Sequence, residues 1–205
     1  MIEIEKPFSK LAKERSIFHS EADFQHALAW TIQREFPEAS VRLELPIQIK
    51  NKLLHVDIWI IHKGQIIGIE LKYLVRKMTT QLNGELFQLN NQSAQDIRRY
   101  DFIKDIKRLE DIAEERKNFT GYAILLTNDT SYWSEPTNPD TIDAMFRLQE
   151  GRILKGKLSW GKKASEGTIK GREQSIVLKN RYEVRWQDYS QEGLFRSLTI
   201  QVGNR

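Results

Sequence analysis

Apolar and polar positions alternate most regularly between Leu53 and Tyr73, LLHVDIWIIHKGQIIGIELKY. Leu54, Val56, Ile58 and Ile60 share one parity, with His55, Asp57 and Trp59 on the other, which predicts a strand. Ile67, Ile69, Leu71 and Tyr73 against Gly68, Glu70 and Lys72 predict a second strand, and Lys63-Gly64 between them reads as a tight turn. Upstream, Val41, Leu43, Leu45, Ile47 and Ile49 alternate as the first strand of an antiparallel meander, where Pro46 on the opposite parity marks an edge or a bulge. Helical spacing sets in at Phe24, Ala27, Leu28, Ile32 and Phe36, with Ser20 as N-cap, Glu21 and Asp23 at the positive end and Pro37 as the stop. A longer helix runs from Ser93 to about Lys117, its apolar face built from Ile97, Phe102, Ile106, Leu109 and Ala113. Gly121 to Thr127, GYAILLT, is short and continuously apolar, as a buried strand reached by a crossover helix and parallel to a meander strand should be. Helix, three strands, helix and strand in that order predict an α/β fold with a mixed sheet.

The remaining stretches carry weaker patterns. Residues 74–92 read as a loop, basic over Val75–Met78 and rich in Asn and Gln thereafter. Leaving the strand that carries Lys72, such a loop suits substrate binding or self-association, which admits a homodimer. Residues 128–139 form a turn-rich loop in which Tyr132 and Trp133 either stack on bases or pack over the domain edge. A short helix is expected from Asp140 or Thr141 through Leu148, and strands over Ser175–Trp186 and Leu194–Val202.

The chain of 205 residues is long enough for one domain, or one domain with an elaboration. It has no cysteine, which excludes disulfides and thiolate metal sites and suits a cytoplasmic setting. Residues 1–16 lack the apolar core of a signal peptide, and no apolar run has the length of a membrane span. The net charge of +4 points mildly to an anionic partner.

Candidate chemistry centres on the hairpin. With a two-residue turn at Lys63-Gly64, His62 pairs with Gln65, and the same register sets Asp57 directly opposite Glu70, Cβ atoms roughly 5 Å apart. Like charges so placed destabilise a sheet and raise at least one carboxyl pKa unless a cation lies between them. A hard divalent ion, Mg2+ or Mn2+, resolves the conflict through oxygen ligands, with the Leu71 carbonyl as a further donor. Lys72, on the same face, can orient or help deprotonate a metal-bound water, and Gly68 leaves room beside Glu70 for a substrate. The plain alternative is a solvent-exposed face with an incidental Glu/Lys pair.

HVD at 55–57 followed by IELK at 69–72 resembles the motif of the PD-(D/E)xK nuclease superfamily, and the order of elements over residues 20–127 resembles its restriction-endonuclease-like αβββαβ core. The resemblance covers about half of the chain. It implies metal-dependent hydrolysis of a phosphodiester, of DNA before RNA, with Asp57, Glu70 and Leu71 holding the metal and Lys72 positioning the nucleophile. Glu21 matches the first-helix glutamate that assists metal or water in many members, although a first-turn acid complementing the helix dipole explains it equally well. One submotif departs: the Gln and Tyr found one turn apart in recombination-type members would here be Gln95 and Tyr100, five residues apart. Catalytically silent relatives, which bind nucleic acid or protein, usually lack an acid or the lysine; this chain keeps all three.

The C-terminal region changes character. Residues 151–185 hold ten basic side chains against three acids, +7 locally in a chain of net +4. It reads as a basic, β-rich extension (151–205) packed on a core of residues 1–150. Lys162, Lys163, Lys170 and Arg172 are candidate phosphate contacts, as are Arg98 and Arg99 at the start of the long helix. The alternative for each is a solvated surface charge.

Overall fold

The computed structural model describes residues 2–190 and 193–203. The expected hairpin forms β2 (Lys52–His62) and β3 (Gln65–Leu74), paired antiparallel in the expected register from His62↔Gln65 to Ile58↔Ile69. Lys63 and Gly64 both take positive φ (49° and 78°), as a two-residue hairpin turn with right-handed strand twist requires. β1 (Ser40–Ile49) flanks β2, and β6 (Phe119–Thr127) runs parallel to β3 after the crossover helix α3 (Gln95–Glu115). α2 (Glu21–Glu35) starts at Ser20, whose hydroxyl accepts the Asp23 N–H. The N-terminal residues add a helix that the pattern did not signal, α1 (Glu5–Glu14), which buries Pro7 and Leu11.

Three expectations are corrected. The stretch 74–92 is a second hairpin, β4 (Met78–Leu82) and β5 (Glu85–Leu89), turning at Asn83-Gly84, where both residues have positive φ. The helix expected over 140–148 shrinks to a single 3-10 turn at Ala144–Phe146. The third concerns the C-terminal segment, which is not merely a layer packed on a finished core. Its last strand, β10 (Arg196–Gly203), pairs antiparallel with β6, and β9 (Trp186–Asp188) pairs with β10. The main sheet therefore runs β1-β2-β3-β6-β10-β9, with β3–β6 its parallel pair. Within the C-terminal segment, β7 (Ile153–Leu158) and β8 (Ile176–Glu183) stand apart as a two-stranded sheet, as β4 and β5 do earlier in the chain. This C-terminal pair is pinned to α3 by the buried Glu110, which accepts from the Lys179 and Asn180 N–H groups and the Tyr182 hydroxyl.

Two apolar layers sandwich the sheet. Phe24, Leu28 and Ile32 of α2 and Leu11 of α1 pack with Ile67, Ile69, Leu71 and Tyr73 of β3 on one side. Phe102, Ile106, Leu109 and Ile112 of α3 and the β7–β8 hairpin pack with Leu125, Leu198 and Ile200 on the other. Among the described residues no helix is long and apolar enough to cross a membrane.

Candidate active site

The sheet forks at the motif. Beyond Ile58↔Ile69 the two central strands part, β2 staying with β1 and β3 with β6. The expected face of Leu54, Val56, Ile58 and Ile60 is thereby corrected: Leu54 and Val56 pack on the α3 side, Ile58 and Ile60 on the α2 side. β1 switches in step, Leu43 facing α2 and Leu45, Ile47 and Ile49 facing α3. The switch falls at Glu44 and Asp57, the one unpaired step in an otherwise continuous β1–β2 register. Glu44 takes φ 50°, a conformation few non-glycine residues adopt. Gln25 of α2 bridges the break, its amide donating to Glu44 Oε1 (2.7 Å) and to the Asp57 carbonyl (2.8 Å).

Where β3 loses its neighbour, its edge groups need partners, because an unpaired buried N–H costs free energy. Side chains supply them. Leu71 N–H donates to Asp57 Oδ2 (2.6 Å), Tyr73 N–H donates to Glu21 Oε2 (2.7 Å), and Lys72 Nζ donates to the Leu71 carbonyl (2.9 Å). Asp57, Leu71, Lys72 and Glu21 thus meet at one fork. Asp57 and Glu70 do not form the cross-strand pair expected of them; the ladder ends one step earlier and Asp57 turns into the gap.

Glu70, only 2% exposed, faces α3 instead. Arg108 Nη2 lies 3.1 Å from Glu70 Oε1, Arg108 Nη1 lies 3.2 Å from Asp105 Oδ1, and Lys72 Nζ lies 2.9 Å from Asp105 Oδ2. Arg108 also donates to the His55 carbonyl. Glu70 Oε1 and Asp105 Oδ2 have these cations beside them but no aligned hydrogen bond. Asp105 and Arg108, one helical turn apart on α3, were missed from the sequence, as were Gln25 and Glu44. The signals were a carboxylate and a guanidinium amid an apolar helix face, and a glutamine one turn after Glu21.

The electrostatics follow from the buried or half-buried carboxylates of Asp57, Glu70 and Asp105, with exposed Glu21 and Glu44 beside them, and from the two cations Lys72 and Arg108. Burial pushes the Asp57 carboxyl up to about 6; Asp105 and Glu44 add to the rise, against the Leu71 N–H and Lys72. Burial likewise drives Glu70 well above the ordinary range, with Asp105 adding and Arg108 opposing. Burial alone would lower the Lys72 ammonium, but Asp105, Glu21 and Asp57 outweigh it and hold it above its ordinary value.

Gly68 does not open space for a ligand as expected. A methyl there would meet the Phe119 ring at 2.8 Å, and Phe119 in turn stacks on Trp59. Of the candidate phosphate contacts, Arg99 is not a surface group: it is buried, paired with Asp143 at 2.7 Å and packed over Tyr132. Arg98 is partly buried, and Arg172 is held by both Asp101 carboxylate oxygens. Lys162, Lys163 and Lys170 are exposed. Tyr132 is buried and Trp133 packs against Trp186.

Among the described residues no three Asp, Glu or His side chains converge as a ready-made set of metal ligands. Comparisons with protein-family models, with curated proteins and with solved structures return no match for the chain.

Proposed function

We propose that this chain is a metal-dependent nuclease of the PD-(D/E)xK type, hydrolysing phosphodiester bonds of DNA on a restriction-endonuclease-like core. The observation that carries the reading is the fork: Asp57 and Lys72 hydrogen-bond to Leu71, and Glu21 binds the next unpaired N–H of the same strand edge, at Tyr73, with Glu70 behind them.

The donor set fits a hard divalent cation. It is all oxygen, its carboxylates outnumber its ammonium and guanidinium groups, and its Glu70 Oε1 lacks an aligned hydrogen bond. Asp57 and Glu70, with the Leu71 carbonyl once Lys72 releases it, would hold Mg2+ or Mn2+. Such an ion supplies Lewis acidity toward water and toward charge building on a phosphate. Lys72, held above its ordinary value by Asp105, Glu21 and Asp57, supplies a positive charge that orients the nucleophile and steadies developing negative charge. Glu21 holds the β3 edge through Tyr73 N–H and has a second oxygen to offer a water. Exposed Lys162, Lys163 and Lys170 provide sequence-independent attraction to the backbone of DNA.

One observation favours a second reading, a catalytically silent nucleic-acid-binding or protein-interaction module: Arg108 already serves as counter-ion to Glu70 and Asp105. Cleavage and equilibrium binding measured on the same DNA, with Mg2+, Mn2+ or chelator, separate the two. The nuclease reading expects metal-dependent cutting by the wild type and loss of most of it, with binding kept, in Glu70→Gln and Lys72→Met. Binding without cutting of any DNA or RNA form offered transfers the assignment to the silent module.

A further inference from the structure

Away from the fork, two arginines converge on one carboxylate, and a third lies within Coulombic reach of it. Arg99 on α3 lies 2.7 Å from Asp143 Oδ2, and Arg147 Nε lies 3.3 Å from the same oxygen without an aligned hydrogen bond. Arg152 stands beside them, within Coulombic reach of Arg147 and Asp143; it is partly buried and its one aligned bond goes to the carbonyl of Met145 (3.1 Å), two residues before Arg147. Arg147 likewise makes one, to Thr141 Oγ1 (3.0 Å). A guanidinium carries five N–H donors, so most of those on Arg147 and Arg152 have no protein acceptor, and the Nε atoms of all three arginines are buried without one.

The charges do not cancel. Asp143 is the only carboxylate in contact with Arg99 and Arg147 among the described residues, and Asp96, which also acts on Arg147, turns its Oδ1 to the Ile97 N–H at the start of α3. Burial, and then the neighbouring arginine, pull both Arg147 and Arg152 below the ordinary guanidinium range. Like charges held half-dry with donors unused are costly in a fold, and a tetrahedral oxyanion offers the acceptors and the negative charge that are missing. We propose that Arg99, Arg147 and Arg152 form an anion site that takes a phosphate group. The phosphate belongs either to a nucleic-acid backbone or to a free phosphate or nucleotide. Arg99, fixed by Asp143 and by the Ser131 carbonyl (2.7 Å), is the rigid floor, while Arg147 and Arg152 supply the spare donors. The site stands independently of metal and of cleavage.

The test is run in chelator, where no hydrolysis interferes. Inorganic phosphate, against chloride at equal ionic strength, should raise the melting temperature of wild type by mass action. Arg152→Gln and Arg147→Gln should each bind phosphate about tenfold more weakly or worse, the loss of one charge-assisted contact, and Arg152→Lys should recover part of it. A short oligonucleotide without terminal phosphates and a nucleoside monophosphate identify the source. If the oligonucleotide competes with phosphate and loses affinity in the same variants, the ligand is a phosphodiester backbone. If only the monophosphate does so, it is a free phosphate or nucleotide. A wild type that responds to phosphate no more than to chloride overturns the proposal, and so do glutamine variants that respond as wild type does.

Discussion

Replacing Asp57 by asparagine should stabilise the metal-free protein near neutral pH. The Asp57 carboxyl is buried, and its pKa is raised from 3.8 to about 6. The folded state therefore binds this proton more tightly than the unfolded chain does. The associated stability is full below the unfolded value and is lost as pH rises from about 4 through about 6. The shift corresponds to roughly 3 kcal/mol. Asparagine cannot ionise, yet its side-chain oxygen can still accept the Leu71 N–H that Asp57 Oδ2 accepts at 2.6 Å. Urea unfolding of both proteins in chelator, at intervals from pH 4 to 8, gives the difference in stability directly. Taking the difference matters because Asp129 and Asp143 are held below the ordinary carboxylate range and contribute a slope of the opposite sign in both proteins. The wild type should lose about 3 kcal/mol relative to Asp57→Asn between pH 4 and 6 and little thereafter, with a tail above pH 6 from coupling to Glu70. A flat difference across pH 4–7, or an asparagine variant less stable at pH 7, would refute the idea that this carboxylate is ionised at a cost.

Three further outcomes are expected. Arg108→Met strips the Glu70 and Asp105 carboxylates of their guanidinium and should cost about 3–5 kcal/mol at neutral pH; a loss below about 1 kcal/mol by urea unfolding would mean that the buried pair is not formed. Gly68→Ala drives a methyl into the Phe119 ring and should cost about 1–3 kcal/mol by overpacking, and normal stability would contradict the close approach. Lys72→Arg should fold and bind DNA within a few-fold of wild type while losing most cleavage, because a planar guanidinium does not replace a compact ammonium between Asp105 and the Leu71 carbonyl. Normal cutting by Lys72→Arg and Lys72→Met together would remove the lysine from the reaction.

Much of the core was legible because its causes are local. The Ser20 cap, the Lys63-Gly64 turn and the continuous apolar run of β6 each act within a few residues, and the elements they predict are present with the expected pairing of β2 with β3. The β4–β5 hairpin was read as a loop: Asn83-Gly84 marks its turn, but Asn- and Gln-rich flanks conceal so short an alternation. Two-fold alternation could not reveal the fork. The run from Leu54 to Ile60 has an unbroken period, yet its side chains change sides at Asp57 because α2 and α3 compete for the two faces and Glu44 yields. The ion pairs that set the chemistry lay further out of reach. Asp105 and Arg108 stand 33 or more positions beyond Lys72, and only the packing of α3 over β3 brings them to Glu70 and the lysine. The place of β10 in the sheet and the burial of Arg99 have the same origin. Sequence by itself determined α2, β1, β2, β3, α3 and β6 and which of their residues carry charge. Tertiary structure decided which charges meet, since a contact between distant segments depends on how every intervening element packs.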